Sequence, residues 1–299
     1  MKFPNKNILC IGEALWDVMP GNRKPGGAPL NVALHLTRQG NSVNIVSGVG
    51  NDQNGMELIE FIENTGLNTS YIQIDESLPT SEVIVKLNEK GNATFEIKEP
   101  VAWDALKFTS DLKNLSVNAG VIVYGTLASR NRSSRATIIN TLTKEAIKII
   151  DVNIRLPYTN PAIVRELLNY ADIAKLNQDE LHIIASWDEK SSVNDSELME
   201  WIALKYNLEM VCVTRGENGA IIYSDHSFYE HPGFKVEVAD TIGTGDAFLA
   251  GLISSLLNEE SVKNSLEFAS ATGALVASRF GATPSYRAED IKTIINNSL

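Results

Sequence analysis

The sequence predicts a doubly wound α/β fold, in which a mostly parallel β-sheet is flanked by helices, with a small antiparallel β lid beside it. Short runs rich in β-branched residues recur along the 299 residues, and segments with apolar residues at helical spacing lie between them. This alternation is typical of parallel strands joined by helical crossovers. One stretch interrupts it with a strand-loop-strand pattern, and this stretch predicts the lid.

The elements follow one another in a regular order. We expect strands at residues 43–47, 121–124, 147–152, 173–176, 210–214 and 220–223. We expect helices at residues 30–38, 55–65, 133–144, 161–169 and 196–205. Asn160 followed by Pro161 marks the start of one helix, because asparagine caps a helix N-terminus and proline fits its first turn.

The interruption lies at residues 81–97. Two strand-like runs, 81–87 and 93–97, flank the polar loop Asn88-Glu89-Lys90-Gly91-Asn92, with no helix between them. Together with the segment near residues 16–19, this hairpin is expected to form an accessory sheet. We therefore predict one domain over residues 1–299 with a lid from about 13–20 and 80–98, since nothing in the chain resembles a linker or an internal repeat.

The overall charge excludes two classes of partner. Twenty-six Lys and Arg residues against 37 Asp and Glu give a net charge of −11. Nucleic acids and anionic membranes attract clustered positive charge, so we expect neither as a partner. No apolar run approaches the ~20 residues that a membrane span needs. Cys10 and Cys212 lie inside apolar runs and are expected to be buried thiols, so we predict a cytoplasmic protein in a reducing compartment.

Two glycine-rich segments carry the chemistry. The run from Asp240 to Phe248 reads DTIGTGDAF and leads into an apolar helix, whose free N-terminal amides would attract an anion. A carboxylate at this point, Asp246, could take a proton from a hydroxyl that attacks a phosphoryl group, or it could cap the helix; the motif alone leaves these about even. The second segment, Gly26 to Ala33, reads GGAPLNVA and suits either close approach of a ligand or a tight turn.

Together these segments resemble the two signature motifs of the ribokinase-like carbohydrate kinases. The form of the first motif, Pro25 to Pro29, and the stretch from Tyr124 to Ala128 are most similar to fructokinases. The resemblance covers nearly the whole chain. Further matching segments occur in the family's order at residues 48–55, 151–155, 177–180, 214–219 and 281–285.

The resemblance implies roles for particular residues. Asp246 would be the catalytic base, and the amides of Gly243, Thr244, Gly245 and Asp246 would form an anion hole for the transferred phosphoryl group. Thr244 departs from the family, which usually has a very small residue there. The remaining implied roles are sugar binding by Asp17, Gly27, Asn31 and Arg155, magnesium-phosphate binding by Asn177 and Glu180, and nucleotide binding by Thr214, Gly216 and Gly219.

Several of these positions also have structural alternatives. Asp17 could close a turn, Arg155 could form a surface salt bridge, Asn177 and Glu180 could cap a helical turn, and residues 214–219 could be a simple turn between strands. The region of Asp240, Ile242, Gly281 and Ser285 resembles a loop pair that binds a monovalent cation in some members. His35, on the helix at 30–38, matches no motif and is expected to be a packed or surface residue.

The resemblance implies an ATP-dependent sugar kinase that uses Mg²⁺, with K⁺ as the monovalent cation at the loop pair. The leading reaction converts D-fructose to fructose 6-phosphate at a primary hydroxyl. Alternative acceptors are ribose, 2-keto-3-deoxygluconate or a nucleoside, and a non-catalytic sugar-binding regulator is the alternative of another class. An NAD-dependent oxidoreductase is disfavoured, because no Gly-x-Gly-x-x-Gly follows the first strand. In several relatives the lids of two subunits pack together in a dimer, so the resemblance implies a homodimer through the lid.

Overall fold

The computed structural model describes residues 2–19, 21–87, 93–190 and 194–297. The predicted hairpin loop at 88–92 lies outside these ranges. The strands, in chain order, are β1 (Asn7–Ile11), β2 (Leu15–Met19), β3 (Asn22–Gly26), β4 (Ser42–Gly50), β5 (Ile72–Asp75), β6 (Ser81–Leu87), β7 (Ala93–Ile97), β8 (Val121–Gly125), β9 (Ile147–Asp151), β10 (Ile173–Asn177), β11 (Met210–Thr214), β12 (Ala220–Ser224) and β13 (Ser227–His231).

Helices connect most of these strands. They are α1 (Ala28–Arg38), α2 (Gln53–Asn64), α3 (Ser110–Val117), α4 (Arg132–Thr141), α5 (Pro161–Leu168), α6 (Gln178–Ser186), α7 (Asp195–Tyr206), α8 (Thr244–Leu257), α9 (Val262–Ala277) and α10 (Ala288–Asn296). Asn160 caps α5 as expected, since its side chain accepts a hydrogen bond from the N–H of Ala162.

The main sheet has nine strands in the order β13-β12-β11-β10-β9-β8-β1-β4-β5. All neighbours from β11 to β5 pair in parallel, and only β12 and β13 are antiparallel. Alternate residues of each strand enter two hydrophobic clusters, so that Ile8 and Cys10 lie on one face of the sheet while Leu9 and Ile11 lie on the other. The doubly wound α/β prediction is confirmed.

A second sheet of four strands, in the order β3-β2-β6-β7, lies beside the main one. It contains the two predicted hairpin strands and β2, and it also contains β3, which was not predicted. Two antiparallel pairs are joined by a parallel pairing of β2 with β6, so the sheet is mixed. The indole N–H of Trp16 donates to the carbonyl of Asn54 at 2.9 Å, which fixes this second sheet to α2.

The strand order predicts where a ligand binds. From β1 the chain runs outward in one direction through β4 and β5, and later in the other direction through β8 to β11. In open α/β sheets, ligands bind outside the carboxyl ends of the strands at such a reversal. The crevice between the ends of β1 and β8 is therefore the expected site. Within the described ranges, no helix is both long and apolar enough to cross a membrane.

Candidate active site

Two helix N-termini meet at the carboxyl edge of the sheet. Asn31 lies in the first turn of α1 and Asp246 in the first turn of α8. The side-chain amide of Asn31 donates from Nδ2 to Oδ2 of Asp246 at 2.7 Å, although the two residues are 215 positions apart. Because each helix N-terminus presents unpaired N–H groups and a partial positive charge, this junction favours an anion.

The turn before α8 depends on a glycine. Gly243 has a φ of +76°, and a Cβ added there would stand 2.5 Å from the carbonyl oxygen of Ala282. The unusual Thr244 fits this turn without blocking it, because its hydroxyl donates to the carbonyl of Thr241 at 3.0 Å. The threonine side chain is thus held by the turn itself, and the backbone of the following residues is left to face a ligand.

A buried ion pair lies beneath the same turn. Lys175 and Asp151 stand opposite each other on β10 and β9, and the Lys175 ammonium donates to Oδ1 and Oδ2 of Asp151 at 2.9 and 3.1 Å. The ammonium is also 3.0 Å from the place where a Cβ at Gly245 would stand. Sequence reasoning did not assign these two residues to the site, although a charged residue within a buried strand was an available signal.

The environment of Asp246 suits a proton acceptor. Burial, followed by the nearby Asp151 carboxylate, raises the pKa of Asp246 to about 6, while Lys175 and the Asn31 hydrogen bond act in the opposite direction. A carboxylate with a pKa near 6 is ionised at neutral pH and is a stronger base than an ordinary aspartate. The arrangement therefore offers a base beside a helix N-terminus whose unpaired amides favour an anion.

Two further carboxyl groups face the same junction. Asp17 projects from β2 of the second sheet, and a Cβ at Gly26 would collide with its Oδ2 atom, so the glycine leaves room for the carboxylate. Burial raises the pKa of Asp17 to about 6. Arg155 and Asp246 both act electrostatically on Asp17. Arg155 itself is exposed, as befits a group available to solvent or to an incoming ligand.

Glu13 is the third carboxyl and was not assigned from the sequence. It follows β1, is 2% exposed, and its Oε2 atom has no hydrogen-bond partner in the described part of the chain. Burial raises the pKa of Glu13 to about 7, although its own N–H and that of Ala28 stabilise the carboxylate. Oδ1 of Asn31 is likewise buried and lacks a described partner. These two buried oxygens are available to accept hydrogen bonds from hydroxyl groups.

Gly27 lies at the start of α1 with a φ of +109°, and a Cβ there would stand 2.4 Å from the carbonyl oxygen of Glu13. Close packing against β1 accounts for this glycine. A role of Gly27 toward a sugar stays a prediction.

Asn177 and Glu180 form a reciprocal cap at the start of α6. The Asn177 side chain accepts from the Glu180 N–H at 2.8 Å, and Oε2 of Glu180 accepts from the Asn177 N–H at 2.8 Å. Oε1 of Glu180 accepts from the N–H of Ile154 at 2.8 Å. Burial raises the pKa of Glu180. These two residues therefore cap a helical turn, as the structural alternative predicted. Glu180 also lies close to the ion pair of Lys175 and Asp151.

The carboxylate at this site suits a magnesium ion that is carried by a nucleotide. In the described residues, no three His, Cys, Asp or Glu side chains cluster to hold a metal ion. Mg²⁺ in phosphoryl-transfer enzymes commonly keeps several waters and binds one or two carboxylates together with substrate phosphates. Glu180 could serve such an ion through phosphate or water, because each of its oxygens retains a free lone pair beside its backbone donor.

The predicted nucleotide loop is a turn between strands. Gly216 and Gly219, with φ values of +57° and +77°, allow the short 3₁₀ helix Gly216–Asn218 to connect the antiparallel strands β11 and β12. Thr214 ends β11 at the carboxyl edge of the sheet. The backbone of residues 214–219 therefore forms the simple turn between strands that was the alternative prediction. A role of this loop in nucleotide binding stays a prediction.

The predicted cation loops do come together. Asp240 accepts from the N–H of Ile242 at 3.0 Å and from the N–H of Gly281 at 2.9 Å. The carbonyl of Ser285 contacts the guanidinium of Arg279. The carboxylate therefore links the two loops, and binding of a monovalent cation stays a prediction.

His35 is a packed residue, which is the expected outcome. It is fully buried, with Nδ1 3.0 Å from the hydroxyl of Tyr286 and Nε2 3.0 Å from the carbonyl of Ala282. Burial lowers the pKa of His35 to about 4. It fixes the Ala282 loop, which in turn contacts the Gly243 turn.

A sequence model of the pfkB family of carbohydrate kinases matches residues 6–289, and the chain belongs to that family. It is accordingly a sugar kinase. Among curated relatives, the probable fructokinase-7 of Arabidopsis thaliana is 29% identical over 312 residues, which cover 95% of this chain and 90% of the relative.

Two solved structures show the same fold. The fructokinase from Xylella fastidiosa with bound ATP gives a TM-score of 0.87 at 23% identity and covers 98% of this chain and 99% of that chain. A double mutant of the fructokinase from Vibrio cholerae O395, in fructose, ADP and potassium ion bound form, gives a TM-score of 0.85 at 22% identity, with 98% and 99% covered. The predicted ribokinase-like fold is thereby confirmed.

Proposed function

We propose that this sugar kinase transfers the γ-phosphoryl group of ATP to the primary hydroxyl of D-fructose and produces fructose 6-phosphate. The observation that carries the proposal is the 2.7 Å hydrogen bond from Asn31 to Asp246. It brings a base and a polar side chain of the first glycine-rich segment to the N-termini of two helices. A hydroxyl acceptor and a phosphoryl donor can therefore meet at one point.

In the proposed reaction, the sugar oxygen forms a bond to the γ-phosphorus while the bond from that phosphorus to the β-γ bridging oxygen breaks. ADP leaves with the electron pair of that bond. Asp246 takes the proton of the sugar hydroxyl, and the amides at Gly243 to Asp246 stabilise the charge on the transferring group. Phosphoryl transfer depends mainly on such positioning and charge stabilisation.

The other residues bind and orient the reactants. Asp17, Gly27, Asn31 and Arg155 hold the sugar, and Asn177, Thr214, Gly216 and Gly219 face the nucleotide. Glu180 would hold Mg²⁺ through phosphate or water, and the ion would neutralise phosphate charge when bound. Asp240, Ile242, Gly281 and Ser285 remain the proposed site for K⁺.

Fructose is proposed because the curated relative with 29% identity is named a fructokinase, and because the PGGAP form of the first segment resembles fructokinases. We expect kcat/KM for fructose to exceed that for ribose, 2-keto-3-deoxygluconate and a nucleoside by more than about tenfold, a difference of ~1.4 kcal/mol in transition-state binding. Steady-state kinetics with ATP and Mg²⁺ measure this. A tenfold preference for another acceptor would reject fructose and retain the kinase, whereas sugar binding without turnover would indicate a regulator.

Replacing Asp17 tests the sugar site. The Asp17→Ala variant loses hydrogen bonds that a sugar makes before and during the reaction, so KM for the sugar should rise by about tenfold or more while kcat changes less. Initial-rate measurements at varied sugar and saturating ATP separate the two constants. Arg23, on the neighbouring β3, pairs with Glu57 and provides a control within the same sheet, because Arg23→Ala should leave the sugar KM unchanged.

The second sheet, β3-β2-β6-β7, which contains the strands expected for the lid from about 13–20 and 80–98, is proposed as a lid over the sugar. Asp17 belongs to this sheet, and the Lys24 ammonium on β3 lies 3.1 Å from where a Cβ at Gly281 would stand. The sheet therefore extends from the proposed sugar site at Asp17 to the Gly281 loop. This loop lies beside residues 243–246, the proposed anion-binding turn. Excluding water from this space would favour transfer to sugar over hydrolysis. A homodimer through the lid is proposed on the family resemblance.

A further inference from the structure

The buried ion pair of Lys175 and Asp151 lies beside the proposed anion-binding turn at residues 243–246. Lys175 is 6% exposed and Asp151 is 3% exposed. Asp151 is the last residue of β9, at the edge where a ligand is expected, and Lys175 lies opposite it on β10. A charged residue is seldom placed in the interior of a sheet unless it is paired, and even a paired one gives little net stability.

The ammonium group has one donor to spare. A lysine ammonium carries three N–H donors, and two of them bond the Asp151 oxygens. In the described part of the chain, no third acceptor lies within hydrogen-bond distance. Gly245 is the second residue of α8, and the ammonium stands 3.0 Å from its missing Cβ. The spare N–H is therefore beside the free amides at the start of α8.

The charges around the ammonium keep it ionised. Burial would lower the pKa of Lys175, but the carboxylates of Asp151, Glu180 and Asp246 together raise it. The ammonium thus keeps its proton throughout the working range of an enzyme, and it can act as a fixed positive charge rather than as a base. Its two bonds to Asp151 hold it in one orientation, which is the requirement for electrostatic preorganisation.

We propose that Lys175 is a catalytic residue whose third N–H contacts an oxygen of the phosphoryl group during transfer, and that Asp151 is a positioning residue that aims it. This proposal rests on the proposed kinase reaction. It also explains why position 245 is a glycine, since a side chain there would separate the ammonium from the space above the helix terminus.

The test uses the double variant Lys175→Met/Asp151→Asn. Removing Lys175 alone would leave a buried carboxylate unpaired and could unfold the protein, whereas the double variant removes both charges. We expect the melting temperature to stay close to that of the wild type, kcat to fall by about 10²-fold or more, and both KM values to change much less. If the double variant keeps a kcat within about threefold of the wild-type value, the pair is structural and the proposal is wrong.

A binding measurement makes the test independent of the sugar. Calorimetry should show that ADP with Mg²⁺ and aluminium fluoride, which imitates the transferring phosphoryl group, binds the double variant at least about tenfold more weakly, while ADP with Mg²⁺ binds as before. Equal binding of the aluminium fluoride complex would contradict a contact to that group. If the wild type prefers another sugar, the fructose proposal fails while this readout still decides the role of Lys175.

The chain provides a matched control. Lys148 on β9 forms an ion pair with Asp172 at 2.7 Å, between the same two neighbouring strands but at their opposite ends. The double variant Lys148→Met/Asp172→Asn removes a similar pair far from α8. It should keep the wild-type kcat and the wild-type affinity for the aluminium fluoride complex. A loss equal to that of the Lys175 variant would attribute the effect to general weakening of the sheet.

Discussion

The Asp246→Asn variant is expected to lose about 10²- to 10⁴-fold in kcat, because asparagine keeps the shape of the side chain and removes the base. The KM values for sugar and ATP should move much less, since other residues bind both reactants. Steady-state kinetics at saturating substrates measure the loss. Retention of more than about a tenth of the wild-type kcat would reject Asp246 as the general base.

The pH dependence gives a second readout of the same role. Since burial raises the pKa of both Asp246 and Asp17 to about 6, the wild-type kcat/KM should rise with pH through about 6 in two overlapping ionisations, and the Asp246→Asn variant should show only the one that belongs to Asp17. Asp111, in the first turn of α3, offers a control. Asp111→Asn also changes a carboxylate at a helix N-terminus, and it should leave both kcat and the pH profile unchanged.

Stability should change in the direction opposite to activity. The pKa of Asp246 is higher in the folded protein than its ordinary value of 3.8, so the folded state binds the proton more tightly than the unfolded state. Its contribution to stability is therefore complete at low pH and is lost as the pH rises through about 6. Asp246→Asn removes this loss, and its melting temperature at about pH 8 should equal or exceed that of the wild type.

The main sheet could be predicted because its parallel strands are buried on both faces. Such strands appear in the sequence as continuous β-branched runs, and β11 has the predicted limits, Met210–Thr214. β3 could not be found in this way. Its sequence, NRKPG, has a low intrinsic preference for strand, and it is extended because it pairs with β2 and leads directly into α1.

The candidate site could be predicted where the catalytic side chain and the glycine-dependent turn lie in one short segment of the sequence. Gly243 and Asp246 occur within four residues of each other, so their joint function has a signature in the sequence. Lys175 and Asp151 are 24 residues apart and meet only through the register of β9 with β10. Glu13 gains its significance from burial between β1 and α1, and a single sequence does not reveal which carboxylate will be buried.

Gly243 and Gly40 share a backbone conformation and differ in their surroundings. Their φ values are +76° and +82°, a region that disfavours every residue with a Cβ. At Gly40 nothing lies within 4 Å of an added Cβ, whereas at Gly243 the Ala282 backbone lies 2.5 Å away. Alanine at either position therefore introduces the same backbone strain, but only alanine at 243 displaces the loop that contacts the anion-binding turn.

Gly243→Ala should lower kcat by more than about 10²-fold, because moving this turn misaligns several amides at once and the loss of a single such donor already costs about 10²- to 10³-fold. Gly40→Ala should cost about 1–2 kcal/mol in the free energy of unfolding and leave kcat unchanged. Kinetics and denaturant unfolding of both variants separate strain from catalysis. If Gly243→Ala lost stability by the same amount as Gly40→Ala and kept its kcat, the backbone at the start of α8 would not be the anion hole, and Asp246, Lys175 and the metal would have to supply the rate enhancement.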